Sequence, residues 1–388
     1  MPDWIWLVFI FAFGCCVGSF LNVVVYRLPR DKSLVKPGSA CPACDRHIRF
    51  YDNIPLVSWL VLRAKCRYCK APISPRYFII ELLTGLVFTG LFILYFHTDL
   101  RPSAGSFIKS GWFVYLLHIV LLASLIAASA IDLELWVIPM SICWFATAVG
   151  LVGSGIGHYV IGMARVSQNF LLPSTSDIIL KEVTVASLAV GALAGLIISW
   201  VLLTTGIIKR SYESGDSQDS PGKAEESQEA KFNDRVEICR EVIFLLPIII
   251  CSLCAYWVSR KSPAVQTWWV DFSQKPAIAG LLGSLWGYFV GCGIVWAIRI
   301  FGTLGFGKEA MGLGDVHLMG AAGAVIGPVF VVVAFFIAPF FGLAWAGFQM
   351  FFKKTRQIPY GPFLSLGILA VMILHDWIID YLNFIRYH

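Results

Sequence analysis

Residues 112–131 read WFVYLLHIVLLASLIAASAI, a run without Asp, Glu, Lys or Arg, and Asp132 follows it immediately. A helix needs about 20 apolar residues to cross the roughly 30 Å of hydrocarbon in a bilayer. Backbone groups in lipid have to pair within their own segment, so such a run is expected to be helical. The stretch therefore predicts a transmembrane helix that ends at a carboxylate.

Similar apolar runs occupy most of the 388 residues, of which 58% are hydrophobic and 14% are charged. Soluble domains are about one quarter charged, so this composition points to the lipid bilayer as the solvent. The sequence predicts an all-α polytopic membrane protein with about ten transmembrane helices. The predicted spans are 4–26, 77–96, 112–131, 138–159, 184–208, 241–259, 279–301, 316–331, 332–351 and 361–380.

The basic residues predict the orientation of these spans. If the N-terminus lies outside, the loops 27–76, 209–240, 302–315 and 352–360 are cytoplasmic and contain 21 of the 30 lysines and arginines. Cytoplasmic loops of membrane proteins carry such an excess. The bias also accounts for the net charge of +6 without a nucleic-acid partner.

Four cysteines in the first cytoplasmic loop form two C-x-x-C pairs, Cys41 with Cys44 and Cys66 with Cys69. Each short turn presents two sulfurs to one side of an ion, which is typical of a structural zinc site with four thiolates. Cytoplasmic thiols stay reduced, so disulfides are the weaker alternative. Asp45 and His47 lie nearby and are expected to be solvated.

Asp132 and Asp315 are the candidate catalytic residues. The predicted topology puts both at the cytoplasmic face, Asp132 after one span and Asp315 before another. Two carboxyls that share one site do not both ionise readily, so one can accept a proton from water while the other polarises a carbonyl. Gly312 and Gly314 would let the backbone bend and approach a peptide. Aspartates also cap helices, so the residues alone leave a structural role open.

Several stretches together carry a family pattern. They are Gly18–Val23, Tyr26–Pro29, Cys41–Tyr77, Asp132 with Ile138-Pro139, Gly307–Val316 and Ile358–Phe363. In this order the chain resembles the bacterial type IV prepilin peptidases, which are membrane aspartic peptidases with a G-x-G-D motif. The resemblance implies that Asp132 and Asp315 are the catalytic residues of a peptidase that acts at the inner membrane.

The resemblance also implies substrates and cofactors. Prepilin or type II secretion pseudopilin precursors would lose a short basic leader, and pilus or secretion assembly machinery is a possible further partner. Many such enzymes also N-methylate the new N-terminus with S-adenosylmethionine, and the cysteine loop is associated with the form that has both activities. Glu81 fits the family too, as a supporting residue that pairs with a loop arginine.

The family pattern divides the chain into two parts. Residues 1–96 hold the first two spans and the cysteine loop, and residues 112–380 form the peptidase core. The family usually has eight spans, so the segment 184–278 adds two spans and a polar linker. Residues 211–235, SYESGDSQDSPGKAEESQEAKFNDR, have no apolar period and are expected to be disordered.

Two substitutions depart from the family pattern. Met140 stands where an acidic residue usually follows Ile-Pro, and His317 stands where lysine usually follows Gly-Asp-Val. Glu134 and Glu309 lie close in sequence to the candidate catalytic acids and are possible supporting groups.

Other functions remain open at this point. One alternative is an aspartic membrane peptidase with other leader or membrane-protein substrates, although shorter relatives of that kind lack the cysteine loop. A transporter would need acids near the bilayer centre and inverted repeats, whereas these two acids are expected at one face. A catalytically inactive scaffold is a further alternative, against which both intact aspartates argue.

Overall fold

The computed structural model describes residues 3–98, 107, 111–161, 172–175, 182–208, 234–261, 263–307, 309–352 and 359–387. Most of these residues are helical. The β-structure among them consists of two isolated bridges. The predicted linker 211–235 lies outside the described residues except for its last two, which begin a helix. The helices are α1 Asp3–Arg27, α2 Val57–Val61, α3 Pro75–Phe96, α4 Trp112–Leu135, α5 Met140–Ile161, α6 Glu182–Thr204, α7 Asp234–Lys261, α8 Pro263–Ser273, α9 Pro276–Phe306, α10 Leu313–Ile326, α11 Pro328–Phe352, α12 Gly361–Ile373 and α13 His375–Tyr387.

The predicted all-α membrane fold is confirmed. Among the described residues, eight helices are long and apolar enough to cross a bilayer, and α12 with α13 forms a ninth span if that bent pair is one. The predicted number of ten spans is larger than this count because of the segment 316–331, where α10 has only 14 residues. At 1.5 Å per residue, α10 is about 21 Å long, which is short of a full crossing.

Two breaks in the second half of the chain explain this difference. Gly327 separates α10 from α11 at φ +90°, a conformation that L side chains rarely adopt. The predicted boundary between the spans 316–331 and 332–351 therefore falls inside α11 and not at this break. Helices α12 and α13 meet at an angle of 74° around Leu374, so the predicted span 361–380 is bent.

Helices α6 and α7, from the segment 184–278, form a closely packed pair. Ser252 donates a hydrogen bond to the Leu188 carbonyl (3.0 Å), and Ser199 donates one to the Phe244 carbonyl (2.7 Å). Small residues and serines at such interfaces let membrane helices approach and hydrogen-bond. The pair packs against α9 and thereby joins the rest of the helix bundle.

The elements that carry the candidate residues meet at one end of the helix bundle. Asp132 lies in the last turn of α4, and Asp315 lies in the first turn of α10. Arg76, in the first turn of α3, pairs with Glu134 at the end of α4, which brings the cysteine loop to the same end. The connection from α9 to α10 is also there, because Arg299 of α9 bonds to the carbonyl of Met311.

Candidate active site and metal centre

Asp132 is held at the point where α4 stops. Trp136 adopts a left-handed conformation (φ 59°) and donates its backbone N–H to the Asp132 carbonyl, which closes the helix. The Asp132 side chain is only 7% exposed. Its Oδ2 accepts a hydrogen bond from the backbone N–H of Gly361 (3.0 Å), at the start of α12.

Asp315 reaches the same place from α10. Its side chain is 9% exposed, and its Oδ1 has no hydrogen-bond partner among the described residues. Buried polar atoms are normally hydrogen-bonded, so an unpartnered buried carboxyl oxygen marks a candidate functional group. The charges of Asp132 and Asp315 lie close enough to repel each other.

Ile138, in the connection from α4 to α5, packs against Gly314 of α10 and Gly361 of α12. A Cβ on Gly314 would lie 2.7 Å from the Cβ of Ile138, so only glycine lets the start of α10 come this close. A Cβ on Gly361 would lie 3.2 Å from the Ile138 Cδ1 and 2.7 Å from Oδ2 of Asp132. Ile138 therefore lies between the start of α10, which carries Asp315, and the start of α12, which bonds to Asp132.

At Gly312 the local backbone does not itself require glycine. Its φ of −74° and ψ of 152° are open to any residue, and a Cβ there would find its nearest neighbour at 3.5 Å. The backbone therefore does not need glycine in order to bend at this position. Gly314 is required by close packing, which is a different reason from the predicted approach to a peptide.

The supporting acids have partners that the sequence did not reveal. Glu81 is buried and accepts the backbone N–H of Leu56 (2.8 Å), so among the described residues its partner is a loop amide and not the expected arginine. Arg76 of the loop pairs instead with Glu134. Glu309 pairs with Arg299 at 2.7 Å.

The two departures from the family pattern, Met140 and His317, each follow one of the candidate acids in the sequence. Met140 is the first residue of α5, directly after Ile138 and Pro139. His317 is half-buried, its Nδ1 lies 2.9 Å from the Tyr288 hydroxyl, and its ring packs against Trp144. Aromatic neighbours thus fill the surroundings of this side chain, one turn from the start of α10.

The four loop cysteines converge as predicted. Their sulfur atoms all lie within 4.8 Å of one another, and the Sγ atoms of Cys41 and Cys69 are 3.8 Å apart. A tetrahedral zinc with Zn–S bonds of about 2.3 Å has sulfurs about 3.8 Å apart. A disulfide would need about 2.05 Å, so the arrangement fits a metal ion and not a crosslink.

The two C-x-x-C turns have matching backbones. The Asp45 N–H bonds to the Cys41 carbonyl (2.8 Å), and the Lys70 N–H bonds to the Cys66 carbonyl (3.1 Å). Asp45 and Lys70 both have positive φ. A bridge closes each turn, Ala40 with His47 and Lys65 with Pro72. Asp45 and His47 are exposed, as expected for residues that are not ligands.

Backbone dipoles prepare the loop to hold a cation. The N–H groups of Cys69 and Tyr68 point at the Cys66 sulfur and lower the pKa of that thiol to about 6. A thiolate is the form that binds a metal. Beside it, hydrogen bonds from the Arg67 guanidinium hold the pKa of Asp52 below its ordinary value and connect the two halves of the loop.

A cavity of about 860 Å³ lies between the cysteine loop and the ends of α1 and α3. Asn22 Oδ1, Trp59 Nε1 and Arg76 Nε belong to lining residues, and these buried atoms have no hydrogen-bond partner among the described residues. Asn22 itself is 2% exposed and donates to the carbonyl of Tyr77 (3.1 Å). The wall also contains Glu81.

Comparison with known proteins gives two family matches along the chain. The bacterial peptidase A24 N-terminal domain matches residues 12–95, and the type IV leader peptidase family matches residues 243–347. The first match covers the cysteine loop with α1 and α3, and the second contains Asp315. These two regions of the chain are therefore similar to the type IV leader peptidase family.

The individual relatives agree with this family. A prepilin leader peptidase/N-methyltransferase of Myxococcus xanthus is 45% identical over 157 residues, which are 40% of this chain and 41% of the relative. One of Burkholderia pseudomallei is 33% identical over 40% of this chain and 55% of its own. A type 4 prepilin-like proteins leader peptide-processing enzyme of Escherichia coli is 27% identical over 93% and 91%. No solved structure matches the chain.

The extent of the matches bears on how the chain is divided into parts. The alignments to the first two relatives span only about half the length of each. Asp132 lies between the two family matches, and the second match starts inside the segment 184–278 that the sequence suggested as an insertion. The match therefore includes α7 only from residue 243 onward.

Proposed function

We propose that this protein is a membrane aspartic endopeptidase that removes the basic leader of type IV prepilin-like or type II secretion pseudopilin precursors. The observation that carries the proposal is that Asp132 and Asp315 are two buried carboxyls from different helices whose charges repel each other at one end of the bundle. Similarity to these relatives supports the substrate class, because they are named prepilin leader peptidases.

The proposed hydrolysis uses two neighbouring carboxyl groups in different protonation states. One ionised carboxylate accepts a proton from a water molecule, and the other carboxylic acid donates a hydrogen bond to the scissile carbonyl. The unpartnered Oδ1 of Asp315 is an atom available for that water. The Gly361 N–H supports the reaction by fixing Asp132 Oδ2.

The cytoplasmic face of the bacterial inner membrane is the proposed location of this reaction. Arg76 links the cysteine loop to the end of α4, so the most basic loop lies on the side of the two acids. The positive-inside bias places such a loop in the cytoplasm. A precursor whose basic leader precedes a hydrophobic helix would present its cleavage site at that depth.

The test is cleavage of a defined precursor. Purified protein in lipid nanodiscs is mixed with a prepilin-like precursor, and the new N-terminus is identified by mass. We expect one product that begins after the glycine preceding the hydrophobic helix. Cleavage of unrelated membrane proteins with no action on any prepilin-like precursor would favour the broader peptidase and reject this substrate class.

The loop cavity favours a second activity, N-methylation of the new N-terminus. Its volume of about 860 Å³ lies within the range of small-molecule pockets, about 300–1,000 Å³. The unpartnered atoms of Asn22, Trp59 and Arg76 supply one acceptor and two donors for a polar ligand. We propose that these residues hold S-adenosylmethionine, which supplies the methyl group when bound.

Direct binding of S-adenosylmethionine tests this second activity. Trp59→Phe keeps the aromatic ring and removes only the unpartnered N–H, so we expect at least about a tenfold loss of affinity if that group binds the ligand. Trp268→Phe, at an exposed tryptophan of α8, is the control. Equal affinity in wild type and Trp59→Phe, or no binding at all, would remove this cavity as the site.

The cysteine cluster is proposed to hold structural zinc. Cys41, Cys44, Cys66 and Cys69 would complete a tetrahedral set of ligands, which leaves no open position for catalysis. The metal would hold the loop in the shape that forms one wall of the cavity.

A further inference from the structure

Arg299 is a completely buried arginine near the end of α9. It is distinct from the candidate catalytic residues Asp132 and Asp315. Its side chain is 1% exposed. The Nε atom donates to Glu241 of α7 (2.7 Å), and Nη1 donates to Glu309 (2.7 Å). A buried guanidinium is strongly unfavourable without such partners, so the cluster has to be kept together.

The same guanidinium holds the connection that leads to Asp315. Nη1 also donates to the backbone carbonyl of Met311, in the turn between α9 and α10. The Ala310 N–H donates to the buried hydroxyl of Thr303, which fastens the turn to α9 a second time (3.4 Å). The charge of Arg299 is also close enough to act on Asp315.

Glu241 reaches this cluster from the segment 184–278. Its carboxylate is 3% exposed and lies against Nε of Arg299, so it fixes the plane of the guanidinium. Because guanidinium donors form a rigid fork, fixing Nε also fixes the direction in which Nη1 points. The orientation that reaches Met311 thus depends on a residue of α7.

We propose that Glu241 and Arg299 are positioning residues for the peptidase reaction. Glu241 orients Arg299, and Arg299 holds the turn before α10 so that Asp315 meets Asp132. The inference rests on the proposed peptidase function. It gives the segment 184–278 a part in building the active site, beyond adding helices to the membrane.

The first test is steady-state cleavage by the full-length protein in nanodiscs. Glu241→Gln removes the negative charge with little change of volume, and we expect kcat to fall while KM changes little. Misplacement of a reacting group by about 1 Å can cost about 100-fold in rate. Glu241→Asp keeps the charge and is expected to recover part of the loss. Glu237→Gln, one turn earlier on α7, is the matched control.

A second variant separates positioning from folding. Glu241→Leu combined with Arg299→Met removes both fully buried charges together, so neither buried partner is left uncompensated. We expect this protein to fold yet to cleave slowly. Hydrogen exchange of the backbone at 309–314 is measured in the same samples, and it should be faster than in wild type and in Glu237→Gln.

Two results would overturn the inference. One is wild-type kcat in Glu241→Gln and in the double variant, and the other is unchanged exchange at 309–314 in both. If wild-type protein cleaves no prepilin-like precursor, the peptidase assignment fails separately. The exchange measurement then still decides whether Arg299 holds the turn.

Discussion

Gly361 faces Asp132 across a gap with no room for a side chain. A Cβ there would lie 2.7 Å from Oδ2, although the backbone N–H has to stay 3.0 Å from that atom. Gly361→Ala should therefore displace the carboxyl and lower kcat for leader cleavage at least about tenfold. Gly347→Ala is the control, because a Cβ there meets nothing within 4 Å. Equal rates in both variants would contradict the close contact between Gly361 and Asp132.

The identities of the candidate acids follow from the sequence, but their surroundings do not. Asp132 and Asp315 stand at the ends of apolar runs, and a topology derived from basic residues puts them at one face. The bond from Gly361 to Asp132 joins residues 229 positions apart, and its existence depends on how three helices pack. The partners of Glu81 and Arg76 likewise depend on the loop conformation, which periodicity does not encode.

At the scale of elements, α9 and α10 cross with their backbones in contact. A Cβ on Gly287 would lie 2.0 Å from the Gly323 carbonyl oxygen, so the crossing cannot accept a methyl group without movement. Gly287→Ala should destabilise the protein by about 1–3 kcal/mol or more. Gly293→Ala lies on the same helix in open space and should be neutral or slightly stabilising. Thermal unfolding in detergent measures both.

A lower melting temperature in Gly293→Ala than in Gly287→Ala would contradict the close crossing of α9 and α10.

The second half of the chain shows where the prediction of spans from hydropathy fails. Apolar runs locate helices well, but they do not reveal that Gly327 ends α10 after 14 residues. Nor do they reveal the bend of 74° between α12 and α13, since both sides of the bend are apolar.

The cysteine loop is an element whose stability should depend on metal. Purified protein should contain about one zinc per chain, and Cys41→Ser with Cys69→Ser should lower that content severalfold. Cys239→Ser with Cys254→Ser, two exposed cysteines of α7, is the matched control. Elemental analysis of the purified proteins measures the ratio, and undiminished zinc in the first variant would reject these ligands. The spacing alone predicted this site, because both ligand pairs are local in sequence.

At the scale of the whole molecule, the chemistry is concentrated at one end of the bundle. The cysteine loop, the two acids and the turn held by Arg299 all lie there, although they come from residues 28 to 361. The distribution of lysines and arginines predicted that the cysteine loop and both acids lie on one side of the membrane. It did not predict that a buried ion pair ties α7 to the turn before Asp315, because sequence does not show which charges are buried together.

Leader cleavage by single Asp→Asn variants tests the paired carboxyls most directly. Asp132→Asn and Asp315→Asn keep the side-chain volume, so each should remain folded in the membrane. Asp271→Asn, at an exposed aspartate of α8, is the control. With a prepilin-like precursor in nanodiscs and the N-terminus read by mass, each active-site variant should yield no processed product, whereas wild type and Asp271→Asn should process it fully. Processing by either Asp132→Asn or Asp315→Asn at the wild-type rate would contradict the account.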